Sequence, residues 1–254
     1  MDRVVSRKIV IAHSPDSDDA FMFYGMATRK VRSSLLSFRH VLEDIESLNC
    51  AALEGRYEMT AISYHAYPYV ADKYVLTSVG SSVGDGYGPI VVARHPYTTE
   101  ELKGKRIAVP GAKTTGYLML KLLQPDFQPQ FVAFDKIVEA VKEGAVDAGL
   151  VIHEGQVSFD RLGVCRVVDL GRWWKQTYDL PLPLGANAVL RSLEPEVRQE
   201  CCRVLRDSIS YALEHREEAL SYAMQFARGL DSGLTEKFVG MRSEERRVGK
   251  ECRL

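Results

Sequence analysis

The chain has 254 residues, 46% hydrophobic and 26% charged, which is enough for two compact lobes with separate cores. Its 33 Lys and Arg against 34 Asp and Glu leave a formal net charge of -1, a field too weak to hold nucleic acid or an anionic membrane. No apolar run approaches the roughly 20 residues that span a bilayer, so neither nucleic acid nor membrane is expected as a partner and a small molecule is.

In chain order, residues 8–12 are predicted as a strand and 18–28 as a helix, the start of a βαβ rhythm. The apolar run Ile9-Val10-Ile11-Ala12 is too short for a secretion signal, so a cytoplasmic address is expected. Residues 36–40 read as a second strand, 43–53 as a helix and 59–63 as a third strand. The third strand ends in polar residues, which puts Ser63 at the carboxyl edge of a doubly wound sheet, where ligands bind. Four glycines between Gly80 and Pro89 then break the rhythm. They form a turn, or let the backbone at Gly88 approach a ligand.

A second series follows, with strands 90–94, 106–110, 130–134 and 148–152 and helices 114–123 and 135–143. The prolines of Leu180-Pro-Leu-Pro-Leu-Gly-Ala-Asn stiffen an extended crossing. Helices 195–215 and 217–228 have no strands of their own to cover, so they are expected to pack back onto the first lobe. This gives lobe one as 1–90 plus 184–241, lobe two as 91–183, and a ligand cleft between them. Residues 242–254, RSEERRVGKECRL, are highly charged and continue no apolar periodicity. They are expected to be a foreign segment or a solvated tail.

Three segments carry candidate chemistry. In Ser14-Pro-Asp-Ser-Asp-Asp, Asp18 or Ser17 can cap the following helix, and the acidic side chains suit hydroxyl groups better than anions. In Pro110-Gly-Ala-Lys-Thr-Thr-Gly, Thr114 and Thr115 open a helix with exposed N–H groups. That is either a plain cap or a cradle for a carboxylate. It is not a Walker loop, because Lys113 precedes the needed glycine. His153 follows Gly149-Leu-Val-Ile at the end of a central strand and is either structural or aimed at the same cleft as Ser63 and Thr115. An imidazole's ordinary pKa, about 6.5, suits general-base work. Glu154 is a candidate to orient it, although strand neighbours point to opposite faces. No Cys-His pair, GxSxG elbow or HExxH motif offers a competing mechanism. The five cysteines, Cys50, Cys165, Cys201, Cys202 and Cys252, show no CxxC and read as reduced core thiols, with no metal expected.

Taken together, SPDSDDAFMFY, VLEDIESLN, Ala-Ile-Ser63-Tyr, GYGPIVVAR, VPGAKTTGY, GLVIHEG and LGRWW…LPLPLGA resemble the 1,4-dihydroxy-6-naphthoate synthase family of the futalosine route to menaquinone, over roughly residues 8–241. The resemblance implies an α/β, two-lobed fold like the type II periplasmic binding proteins. It implies a lyase that cleaves cyclic dehypoxanthinyl futalosine to 1,4-dihydroxy-6-naphthoate and dihydroxyacetone, with no cofactor. It also implies His153 as proton acceptor, from the family's IIHE segment, and substrate contacts at Ala61, Ile62, Ser63, Thr115 and Gly116. Family members normally continue in a further C-terminal helical stretch. The alternatives are a solute-binding protein for a small organic acid and the related chorismate dehydratase, which the SPDSDDAF and LVIHEG segments fit less well. Oligomeric state is not legible.

Overall fold

The computed structural model describes residues 7–153, 155–227 and 231–243. The chain divides into two units, one running to Ser82 and resuming at Gly185, the other Val83–Leu184. The expected division, 1–90 plus 184–241 against 91–183, differs chiefly at the first crossing. The glycine-rich segment after Val83 belongs to the second unit because it runs against that unit's own helix at Gly171, as shown below.

Unit 1 begins β1 (Arg7–His13), α1 (Ser17–Ala27), β2 (Leu36–Leu42), α2 (Ile45–Leu53), β3 (Met59–Ser63) and β4 (Tyr74–Leu76), and β5 (Ser82–Gly84) spans the first crossing. The helix predicted from residue 43 starts later because Asp44 caps it, with Oδ1 accepting from the N–H groups of Glu46 and Ser47 at 3.0 and 3.1 Å.

Unit 2 comprises β6 (Ile90–Ala93), β7 (Arg106–Val109), α3 (Thr115–Leu123), β8 (Gln128–Phe131), α4 (Ile137–Glu143), β9 (Ala148–Val151), α5 (Gly155–Ser158), β10 (Cys165–Asp169) and α6 (Leu170–Tyr178). The strand expected at 130–134 begins at Gln128 and contains Pro129. Proline is tolerated there because β8 is an edge strand.

The chain then runs through β11 (Leu182–Leu190) into α7 (Pro195–Glu214), α8 (Arg216–Ala223) and α9 (Ser232–Ser243). The unit 1 sheet has the order β2-β1-β3-β11-β4, with β5 pairing β11; β1 is parallel to β2 and β3, and β11 antiparallel to β3. As expected, α7 and α8 pack on unit 1, against α1. Helix α1 is buried from Ser17 to Met26, between α7, α8 and α9 on one side and the sheet core of Ile9, Ile11 and Val189 on the other. A helix enclosed in this way needs no polar stripe.

The unit 2 sheet has the order β10-β6-β9-β7-β8, with β7 parallel to β8 and β9, and β6 antiparallel to β9 and β10. Every residue of β6 and β9 is buried, which accounts for their unbroken apolar runs.

Of the four described cysteines, only Cys201 lies in the core; Cys202 is half-buried and Cys50 and Cys165 are exposed, so the expectation of core thiols fails for them. Cys165 opens the edge strand β10, which explains its exposure. Cys252, the segment after residue 243, and Glu154 lie outside the described residues.

Candidate functional site

In unit 1, β1 ends at His13 and the chain turns through Ser14 and Asp16 into α1. Ser14 is tied three ways. Its N–H donates to Asp19 Oδ2 at 2.9 Å, its hydroxyl to Asp16 Oδ2 at 2.6 Å, and its carbonyl accepts from His13 Nδ1 at 3.0 Å. The N-cap position is Asp16, with extended backbone, and not Asp18 or Ser17. Both lie inside the first turn because the chain becomes helical at Ser17, and Asp18 is buried at 3% exposure.

His13 stacks on Phe23, with ring centroids 4.2 Å apart, and its Nε2 meets His40 Nδ1 at 3.1 Å. The Ser14 carbonyl can only accept, so His13 carries its proton on Nδ1 and takes a hydrogen bond from His40 Nδ1–H. Burial drives the His13 pKa down to about 3, helped by the neighbouring His40, and burial drives His40 down to about 4. Both rings are therefore neutral at physiological pH. Sequence reasoning missed the pair. Parallel pairing of β1 and β2 sets Ile11 opposite His40, and no local pattern announces that.

At the carboxyl end of β3, Ser63 is buried and held by Asn49 from α2. The Asn49 Oδ1 accepts from Ser63 N–H at 2.8 Å, and its Nδ2 donates to Ser63 Oγ at 3.1 Å. Asn49 is fully buried, and its only sequence signal is a polar residue on the apolar stripe of α2. Ala61 packs with Ala12 and Leu48 on one face, and Ile62 with Val70 and Tyr74 on the other. The Ile62 side chain is committed to the core, and its backbone lies in the ladder opposite Ala186 of β11.

In unit 2, Thr114 caps α3. Its Oγ1 accepts from Tyr117 N–H at 3.2 Å and donates to the Gly111 carbonyl at 2.9 Å. The Thr115 hydroxyl donates to the Leu184 carbonyl at 2.7 Å. Both hydroxyls are thus engaged inside the protein, so a carboxylate here would rely on the backbone and dipole of the helix start. Gly116 lets that helix start sit against the end of β9. A Cβ on it would stand 2.8 Å from Ile152 Cγ2 and 3.4 Å from Pro89 Cβ. The approach brings Thr115 and Gly116 beside Ile152, the neighbour of His153. Gly88 has a packing reason for lacking a side chain, since a Cβ would lie 3.0 Å from Gly171 Cα on α6.

His153 follows β9. Its Nε2 lies 3.1 Å from the Phe134 carbonyl, and its Nδ1 accepts from Gly155 N–H at 3.2 Å. A carbonyl only accepts and a backbone N–H only donates, so the neutral ring carries its proton on Nε2. The Phe134 ring stands edge-on to the imidazole at 5.3 Å. No group of three or more His, Cys, Asp or Glu able to hold a metal occurs among the described residues, and no described helix is long and apolar enough to cross a membrane.

Comparison with known proteins adds relatives of three kinds. The family described as menaquinone biosynthesis matches residues 9–246. A protein of Thermus thermophilus named 1,4-dihydroxy-6-naphthoate synthase is 44% identical over 220 residues, covering 87% of this chain and 80% of that one. A Streptomyces coelicolor protein of the same name is 32% identical over 237 residues, covering 91% and 83%. Among solved structures, protein AF1704 from Archaeoglobus fulgidus is similar, with a TM-score of 0.90 and 51% identity over 94% of this chain and 89% of that one. The alkanesulfonate-binding protein SsuA of Xanthomonas axonopodis pv. citri superposes with a TM-score of 0.70 at 15% identity, over 92% and 84%. That likeness shows the fold alone, the type II fold of periplasmic binding proteins.

Proposed function

Because the chain belongs to the menaquinone-biosynthesis family of the 1,4-dihydroxy-6-naphthoate synthases, we propose that it is a cofactor-independent carbon–carbon lyase with His153 as general base. It cleaves cyclic dehypoxanthinyl futalosine to 1,4-dihydroxy-6-naphthoate and dihydroxyacetone, and it works in the cytoplasm.

The tautomer of His153 is the observation that carries this reading. With Nε2–H on the Phe134 carbonyl, the ring's lone pair is on Nδ1. Gly155 N–H covers that lone pair at 3.2 Å, a long bond that a substrate proton donor displaces. When Nδ1 takes the proton, the Phe134 carbonyl already faces the Nε2–H of the new imidazolium and stabilises its charge. The proton comes from a substrate hydroxyl or activated carbon, the C–C bond breaks, and formation of the aromatic naphthol ring makes the later steps downhill.

The other residues hold the substrate. Ser63, with the backbone of Ala61 and Ile62, receives hydroxyl groups, as does the acidic loop of Ser14 and Asp18. The α3 start at Thr115 and Gly116, capped by Thr114, receives the carboxylate, and Gly88 keeps the neighbouring backbone close.

Incubating the purified protein with cyclic dehypoxanthinyl futalosine should release the naphthoate, detected by chromatography. No product from this substrate, with turnover of chorismate instead, would sink the reading. His153→Gln should lower kcat by about 10²–10⁴-fold with the melting temperature unchanged. An unaltered rate in a folded variant would remove His153 from the mechanism.

A further inference from the structure

Unit 1 holds a groove of about 590 Å³ between the edge strand β4 and helix α7. Arg191, Arg198, Arg206, Gln199, Ser78 and Cys202 line it, and no Asp or Glu does among the described residues. From these we infer that the groove is a second ligand site, for a small multivalent oxyanion bearing phosphate or carboxylate groups.

The arrangement follows from helical spacing. Arg198, Cys202 and Arg206 recur every four residues and share one stripe of α7. The acids of that helix, Glu196, Glu200, Asp207 and Glu214, fall by the same spacing on the side away from that stripe, and Glu200 and Asp207 there pair with Arg203. Glu194, just before the helix, pairs with Arg7 instead of the groove.

The three groove arginines keep most of their donors. Arg191 gives its Nε–H to the Ala71 carbonyl at 2.7 Å, and Arg198 gives one Nη1–H to the Arg191 carbonyl at 3.0 Å. Arg206 makes no hydrogen bond or ion pair among the described residues. Three guanidinium groups in one concavity raise its potential together, and their forked donors match planar oxyanions. The start of α7, with Pro195 in its first turn, adds the positive end of a 20-residue helix.

The groove is distinct from the proposed substrate site. Gly185 pairs with Ser63, and the far end of β11 at Leu190, next to Arg191, stands five residues further on, roughly 17 Å along the strand. Strand β4 lies two strands from β3, about 10 Å to the side.

Calorimetric titration of the full chain with pyrophosphate and with citrate, at fixed ionic strength, tests the assignment. Saturable one-to-one binding is expected, weakened about tenfold by Arg206→Gln and further by Arg198→Gln combined with it. Arg206 has no hydrogen bond or ion pair to lose among the described residues, so its variant should keep the parent's circular dichroism and melting temperature. Binding of pyrophosphate alone identifies phosphate as the recognised group, and competition by citrate extends recognition to carboxylates. Heats that never saturate, or that persist undiminished in the double variant, overturn the site, the latter by placing the anion elsewhere.

Discussion

In unit 1 the strands run β2-β1-β3-β11, and in unit 2 they run β8-β7-β9-β6; in both, three parallel strands are followed by an antiparallel one beside the third. The corresponding places carry opposite chemistry. The loop after the first parallel strand is acidic in unit 1, where Asp16 and Asp19 grip Ser14, and free of acids in unit 2, where Thr114 and Thr115 open α3. The third strand ends in a serine held by a side chain, Asn49, in one unit. In the other it is followed by a histidine held by two backbone groups. The fold supplies equivalent positions, and the side chains decide whether a position suits a hydroxyl, a carboxylate or a proton.

The largest effect that should separate the units is acid sensitivity. His13 and His40 have folded pKa values of about 3 and about 4, below the ordinary 6.5, so the unfolded chain binds more protons between these limits. Their contribution to stability is therefore full above about pH 6.5 and is lost as pH falls, by up to about 1.4 kcal/mol per pH unit for each ring. Both tryptophans, Trp173 and Trp174, lie on α6 of unit 2. On acidification, circular dichroism should thus begin to change before tryptophan emission, and His13→Phe, which keeps the stack on Phe23, should narrow the gap. Coincident transitions in the parent chain would break the contrast.

A smaller effect distinguishes the two strand ends. Asn49→Leu strips the partners from the buried Ser63 N–H and should cost about 1–3 kcal/mol in urea unfolding. It should also raise KM while leaving kcat nearly intact, the reverse of the pattern expected for His153→Gln. A fall in kcat alone would mean that Ser63 takes part in the chemical step.

The smallest concerns the α3 start. Thr115→Val removes one neutral hydroxyl bond, to the Leu184 carbonyl, and should cost about 0.5–1.5 kcal/mol. Since that hydroxyl is engaged within the protein, KM should change little. A tenfold rise in KM would instead assign the hydroxyl directly to substrate.

Much of this architecture is legible in the chain itself. Runs such as Ile90–Ala93 and Ala148–Val151 alternate with helical patterns, and the third strand of unit 1 is predicted to the residue. Strands β4 and β5 escaped because three residues show too little periodicity, and β10 because Arg166 and Asp169 break its apolar run to Val167-Val168. The candidate site is legible as strand ends and helix starts: Ser63 closes β3, Thr115 opens α3 and His153 follows β9, where the sequence reading puts them.

The sequence alone therefore determined where strands end and helices begin, because periodicity, caps and breakers act over a few neighbouring residues. Only the tertiary structure decided which groups share a hydrogen bond: Asn49 with Ser63, His13 with His40, and the Phe134 carbonyl with His153. Those partners lie 14 to 27 residues apart and meet only because sheet pairing and helix packing bring them together. For His153, a carbonyl from before α4 joins the local Gly155 N–H in selecting the tautomer, and no pattern around Gly149-Leu-Val-Ile could have supplied that carbonyl.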